Sequence, residues 1–293
     1  MPDSNRRTAL LIFITLTLIW GTSFILIKQG LKVFSPDEVG ALRVVAAALF
    51  LMPLALTRLK ELKSSSHYGK LFASGMLGVF IPSFLFATAQ THMESSVAGV
   101  LNTLTPIFTM IIGAILFHQR FSATAIAGII LGFGGAVLLS MSRAGGAIGG
   151  VNLYALLIVA ACFCYGSNLN LIKFKITDLS ALTITSVALL LVGPVAIIYL
   201  LGFTDFVSKL TTQPGAWQAF GFVVLLGLMS TAVAMFLFNK LVKVSTPLFA
   251  SSVTYAIPLV AVLWGVLDHE KLSWGHLAGM ITIVAGVYLA NRK

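Results

Sequence analysis

Ser251, Thr254, Tyr255 and Pro258 fall at i, i+3, i+4 and i+7, which places them on one face of a helix. Their hydroxyls can give and take hydrogen bonds without changing charge, and a proline inside a helix frees one backbone carbonyl. The same spacing occurs earlier, at Gly99, Asn102, Thr103 and Pro106. Such a face suits the reversible binding of a polar solute. Acid–base, nucleophilic or metal chemistry needs something else: a carboxylate pair, a nucleophile beside its base, or ligand-spaced histidines. The nine acidic residues, Asp3, Asp37, Glu38, Glu61, Glu94, Asp178, Asp205, Asp268 and Glu270, all lie in tails, loops or at the ends of apolar runs. His92, His118, His269 and His276 do not form a ligand set. No catalytic residue, metal site or cofactor is expected, and the chain does not read as an enzyme.

A second constellation occurs twice. Trp20-Gly21-Thr22-Ser23-Phe24-Ile25-Leu26-Ile27-Lys28 returns, 145 residues later, as Tyr165-Gly166-Ser167-Asn168-Leu169-Asn170-Leu171-Ile172-Lys173. Each copy is an apolar run with an aromatic, a glycine, a polar cluster and a terminal lysine. Trp20, Thr22, Ser23, Tyr165 and Asn168 therefore join Asn102, Thr103, Pro106, Ser251, Thr254, Tyr255 and Pro258 as candidate substrate contacts. The competing explanations are that Trp and Tyr anchor membrane interfaces and that Ser, Thr and Asn bind helix to helix. Ser230 and Thr231 are weaker candidates. Arg43 is the ionisable group furthest inside an apolar segment; snorkelling to the interface and binding of an anionic group both account for it.

The elements that must position these residues follow from composition. Of 293 residues 58% are hydrophobic and 10% charged, against roughly 25% charged in soluble domains. A span needs roughly 20 apolar residues, and ten fit: 8–28, 36–57, 70–90, 95–117, 122–141, 152–173, 180–202, 216–239, 246–267 and 273–290. The expected fold is an all-α integral membrane protein. The first apolar run is too long for a signal-peptide core and lacks a small-x-small cleavage site. The formal charge of +10 comes from Lys and Arg in short loops, so a lipid bilayer is the expected partner and nucleic acid is not. Thirteen of the nineteen cations, from Arg6 and Arg7 to Arg292 and Lys293, fall on one side of a ten-span layout. That side is then cytoplasmic and holds both termini. Cys162 and Cys164 are spaced against facing one another, so neither a disulfide nor a metal site is expected.

The duplication covers whole halves. Phe84-Leu85-Phe86 matches Phe236-Leu237-Phe238, Pro106 matches Pro258, and His118-Gln119-Arg120-Phe121-Ser122 matches His269-Glu270-Lys271-Leu272-Ser273. Five spans per half is an odd number, so the second half enters the membrane inverted, the build of many secondary transporters. Residues 1–144 and 151–293 are the expected halves, with Gly145-Gly146-Ala147-Ile148-Gly149-Gly150 as a flexible linker. Gly128 and Gly132, and Gly275 and Gly279, carry the spacing of close-packed helices.

At this level the chain resembles the ten-helix, EamA-like branch of the drug/metabolite transporter superfamily. The resemblance rests on Trp20-Gly21-Thr22-Ser23-Phe24, on Pro106 and Pro258, and on Glu270-Lys271-Leu272-Ser273 followed by Gly279 and Gly286. His118-Gln119-Arg120 stands where the family usually has a Glu-containing turn. The resemblance implies an inner-membrane exporter or facilitator of small metabolites. It also implies a central cavity ringed by spans one, three, four, six, eight and nine, with spans two and seven and the last of each half outside it. A neutral polar lining favours small polar or zwitterionic solutes, amino acids foremost, moved by alternating access. A channel-like or structural membrane protein is the alternative, and a membrane-embedded enzyme a more distant one. Oligomeric state, direction of transport and coupling ion stay open.

Overall fold

The computed structural model of the chain describes residues 3–92, 95–143, 153–267 and 274–290, and among them all regular structure is helical. The helices are α1 (Asp3–Gly30), α2 (Pro36–Arg58), α3 (Ser65–Ala89), α4 (Ala98–Phe117), α5 (Ala123–Arg143), α6 (Ala155–Lys175), α7 (Ala181–Gly202) and α8 (Ala216–Val244). They are followed by α9 (Pro247–Ser251 and Val253–Leu267) and α10 (Trp274–Ala290), and a short helix Phe206–Thr212 joins α7 to α8. Among the described residues seven, α1 to α4 and α6 to α8, are long and apolar enough to cross a membrane. The apolar stretches Ala123–Leu138, Pro247–Val260 and Leu277–Ala290 of the others are shorter. The expected linker 145–150 and the Glu270-Lys271-Leu272-Ser273 turn lie outside the described residues.

Local chemistry sets the helix starts. Ser35-Pro36-Asp37-Glu38 opens α2 with proline in the first turn, and the Glu38 carboxylate accepts the Ser35 N–H at 2.7 Å. Ser180 Oγ accepts the Thr183 N–H at 3.1 Å to open α7, and Thr246 Oγ1 accepts the Phe249 N–H at 3.1 Å to open α9. Large apolar side chains then face outward all round, Leu11, Ile115, Ile130, Ile198 and Ile281 among them. In water such a surface is a liability; hydrocarbon solvates it, as an integral membrane protein requires.

Four helices are interrupted. A π-helical stretch runs through Met76–Phe80 in α3 and another through Leu226–Val233 in α8. α4 tightens to a 3-10 turn at Asn102–Leu104 just before Pro106, and α9 breaks at Ser252 just before Pro258. At the offset of 152 residues that aligns Phe86 with Phe238, the first π stretch lands inside the second.

Packing follows the same pairing. α5 lies against α10 and α2 against α7; α1 packs on α8 and α9, while α6 packs on α3 and α4; α2 meets α8, and α7 meets α3. Glycine makes the closest approaches possible. A Cβ on Gly21 would sit 2.5 Å from the Val260 side chain of α9, and one on Gly166 would sit 2.8 Å from the Thr109 backbone of α4. In the α5–α10 seam a Cβ on Gly128 would lie 2.1 Å from the Ala290 backbone, and one on Gly286 2.3 Å from that of Gly132.

Candidate functional site

α1, α3, α4, α6, α8 and α9 converge on a cavity of about 720 Å³, mouth included. α1 gives Trp20, Ser23, Phe24 and Ile27; α3 gives Gly78, Val79, Ser83 and Phe86; α4 gives Asn102 and Thr105; α6 gives Tyr165. α8 gives Ser230, Thr231, Met235 and Phe238, and α9 gives Thr254 and Ile257. Four pairs at matching positions of the two halves line it together: Trp20 with Tyr165, Gly78 with Ser230, Phe86 with Phe238, and Asn102 with Thr254. The π stretches thus supply lining residues from both halves, a frequent place for such irregularities.

Five of the twelve sequence candidates line this space: Trp20, Ser23, Asn102, Tyr165 and Thr254. Trp20 is held by its indole N–H, which donates to the Ser230 carbonyl at 3.1 Å, and its ring meets Phe238 edge-on at 4.9 Å. Asn102 Oδ1 accepts from Thr105 Oγ1 at 3.3 Å.

The other seven face elsewhere, each for a visible reason. Thr22 bonds back to the Leu18 carbonyl of its own helix, and Thr103 to that of Val100. Asn168 is buried between α6 and α3, where its Oδ1 takes the Ser74 hydroxyl at 2.7 Å. Ser251 bonds to the Leu248 carbonyl. Tyr255, fully buried, sends its hydroxyl to the Ile129 carbonyl of α5 at 3.1 Å, its ring against Gly132. Pro106 and Pro258 are buried beside the breaks they accompany. The i, i+3, i+4, i+7 face is therefore split: one flank meets the cavity and the other meets α5.

The cavity also holds a group from a helix the family resemblance had set outside it. Arg43 of α2 reaches in, and its Nε and Nη2 both donate to Thr231 Oγ1, each at 3.1 Å. It does not snorkel. Among the described residues no carboxylate pairs with it, the ion pairs being Arg58–Glu61, His67–Asp178 and Lys209–Glu38. Nor does any lining residue carry a carboxylate. The residue beside its anchor, Ser230, has a buried Oγ without a hydrogen-bond partner. The sequence offered a signal for Phe86 and Phe238 in the repeat itself, and none for Thr105 or for the pairing of Arg43 with Thr231.

The cavity lies toward the later part of α1 and α3 and the earlier part of α4, away from the end of the bundle where α1 begins. That end is closed. Phe13 packs on Phe249 at 5.6 Å, His67 Nε2 meets Asp178 at 2.9 Å, and Thr183 donates to Glu61 at 2.5 Å. Lys173 Nζ donates to the carbonyls of Val242 and Ser245 at 3.2 and 2.6 Å; Lys243 Nζ donates to those of Ile176 and Thr177. At Asp178, outside the spans, its own backbone N–H and the His67 imidazole hold the carboxyl below the usual carboxylate range. Among the described residues no group of three or more metal-ligating side chains occurs.

Known proteins give this architecture a context. An uncharacterized transporter of Archaeoglobus fulgidus is 28% identical over 278 residues, covering 94% of this chain and 95% of its own. The uncharacterized inner membrane transporter YedA of Escherichia coli is 25% identical over 286 residues, covering 94% and 88%. A solved crystal structure shares the fold with a TM-score of 0.74 at 20% identity, over 97% of this chain and 96% of the other. The sequence profile of the EamA-like transporter family matches twice, over residues 7–141 and 152–292. A profile covering nearly the whole chain, with full-length relatives named as transporters, leaves one conclusion: this membrane protein belongs to the EamA-like transporter family.

Proposed function

We propose that the chain is a secondary transporter that moves small polar or zwitterionic metabolites, amino acids foremost, through this cavity by alternating access. The observation that carries the proposal is the cavity itself. Six helices from both halves bring aromatic faces, hydroxyls and one amide to the wall of a single, partly open cavity. No lining residue is a carboxylate, so facilitated or exchange transport fits better than obligatory proton coupling.

The architecture that goes with this function is ten spans in two inverted halves, residues 1–144 and 151–293, joined through 145–150. The paired helix contacts, the paired π stretches and the double profile match support it. Both termini are cytoplasmic in this scheme, in a bacterial-type inner membrane, on the strength of the cation count. A reporter fused after Lys293 is then active only in its cytoplasmic form.

The test of function is a metabolite screen on proteoliposomes, with and without a pH gradient. Saturable, competable flux that persists without the gradient is expected. Flux that rises linearly with solute concentration identifies a channel instead, and accumulation that collapses with the gradient removes the coupling claim.

A further inference from the structure

The neutral lining of the cavity is duplicated between the halves, but its charge is not. Arg43 projects from α2, whereas α7, the matching helix, has no charged residue in Ala181–Gly202. An arginine among aromatic, aliphatic and neutral polar side chains, with no carboxylate in the lining, is an uncompensated charge that a bound anion would relieve. Arg43 spends two N–H donors on Thr231, which leaves three of its five. The next residue, Ser230, is 2% exposed and its Oγ has no partner. A charge, three spare donors and an unpartnered hydroxyl therefore meet on one π-helical turn, at the wall of a cavity.

We propose that Arg43 and Ser230 are the seat of the substrate's carboxylate, and that a single carboxylate is what the protein requires of its solute. The guanidinium fork matches a carboxylate in a bidentate manner, and the serine hydroxyl adds a third hydrogen bond. The body of the solute then lies against the rings of Trp20, Phe86 and Phe238. An ammonium group finds no acidic side chain in the lining, so an amine alone is not held. A second carboxylate finds no second cation. The class is thus small monocarboxylates, with or without an amino group, carrying an apolar body. This inference rests on the transporter reading above and narrows it.

Four probes with one branched apolar body separate the possibilities: leucine, leucinamide, 4-methylpentanoate and 3-methylbutylamine. Each is tested for thermal stabilisation of the purified full-length protein, which reports binding through mass action, and for flux in proteoliposomes. Leucine and 4-methylpentanoate are expected to bind and leucinamide and 3-methylbutylamine not to. Arg43→Gln is expected to weaken carboxylate binding at least about tenfold, Arg43→Lys to restore part of it, and Ser230→Ala to weaken it about threefold. Equal binding of all four probes, or carboxylate affinity unchanged in Arg43→Gln protein that is still folded, overturns the assignment. So does saturable transport of a solute without a carboxylate when no carboxylate binds; the transporter reading survives all three results. Absence of saturable flux for any solute removes that reading and this one together.

Discussion

The cations at the closed end of this bundle and the one in its cavity are treated in opposite ways. At the closed end Lys173 of α6 donates to Val242 and Ser245, where α8 finishes, and Lys243 of α8 donates to Ile176 and Thr177, where α6 finishes. Each lysine caps the other's helix, satisfying carbonyls that have no partner within their own helix and meeting the negative end of the dipole. In the cavity Arg43 has one hydroxyl for a partner and the remainder of its fork unspent. A cation that braces the fold spends most of its donors on protein acceptors. A cation left short of acceptors is available to something that arrives later, and the closed end against the cavity separates these two uses of positive charge.

The sharpest way to break that distinction is to remove both braces. Lys173→Met with Lys243→Met leaves four carbonyls short of donors, each hydrogen bond to a charged group being worth about 1.5–3 kcal/mol. The expected result is a large fall in the yield of folded, monodisperse protein, read by size-exclusion and thermal melting. Arg43→Gln should move the other way. Removing an unpaired charge from apolar surroundings relieves a cost of up to several kcal/mol, so the empty variant should melt at or above the wild-type temperature while losing carboxylate transport. If Arg43→Gln destabilises as much as the loss of one brace, Arg43 is a structural cation like the other two.

A smaller effect separates two residues three apart on α6. Tyr165 lines the cavity, and its hydroxyl has no hydrogen-bond partner among the described residues. Asn168 is sealed against α3 by Ser74. One neutral hydrogen bond is worth about 0.5–1.5 kcal/mol, and the two variants should show it in different measurements. Tyr165→Phe should raise the half-saturation concentration about three- to tenfold with little change in melting. Asn168→Ala should lower the melting temperature and leave half-saturation alone. Should both variants act on melting only, the lining of α6 serves packing.

That pair also marks how far the sequence could be read. The apolar runs, the aromatic–glycine repeat and the paired prolines made the membrane class, the family and the convergence of the first and sixth helices on the fourth and ninth legible. The missing information was angular. A helix turns about 100° per residue, and Thr103 and Tyr255 sit one position round from the lining residues Asn102 and Thr254. The 3-10 turn at Asn102–Leu104 and the break at Ser252 set which flank is presented, and neither is visible in spacing. Arg43 was open between two accounts because depth in a span does not reveal a neighbour. Only the packing of α2 against the π stretch of α8 brings Thr231 to it. That π stretch has no sequence signature, and α8 also runs past the expected residue 239 to Val244, which carries Lys243 to the end of α6.

The smallest effect belongs to the rim of the closed end. Asp178 faces His67 from α3, with Lys70 and Lys243 nearby, and its side chain is 56% exposed. Water screens such a pair, so its whole contribution to stability should stay below about 1 kcal/mol. Its sign is fixed by direction: the folded protein holds the Asp178 carboxyl below its ordinary range, so the proton binds the unfolded chain more readily. The increment is therefore present above the ordinary aspartate value of about 3.9, and is lost as pH falls through the lowered folded value. Asp178→Asn should melt slightly below wild type at neutral pH, and the gap should close as the buffer is acidified past that range. A gap as large as that of a single Lys173→Met variant would place Asp178 among the braces and move the boundary between the two kinds of charge out to the rim.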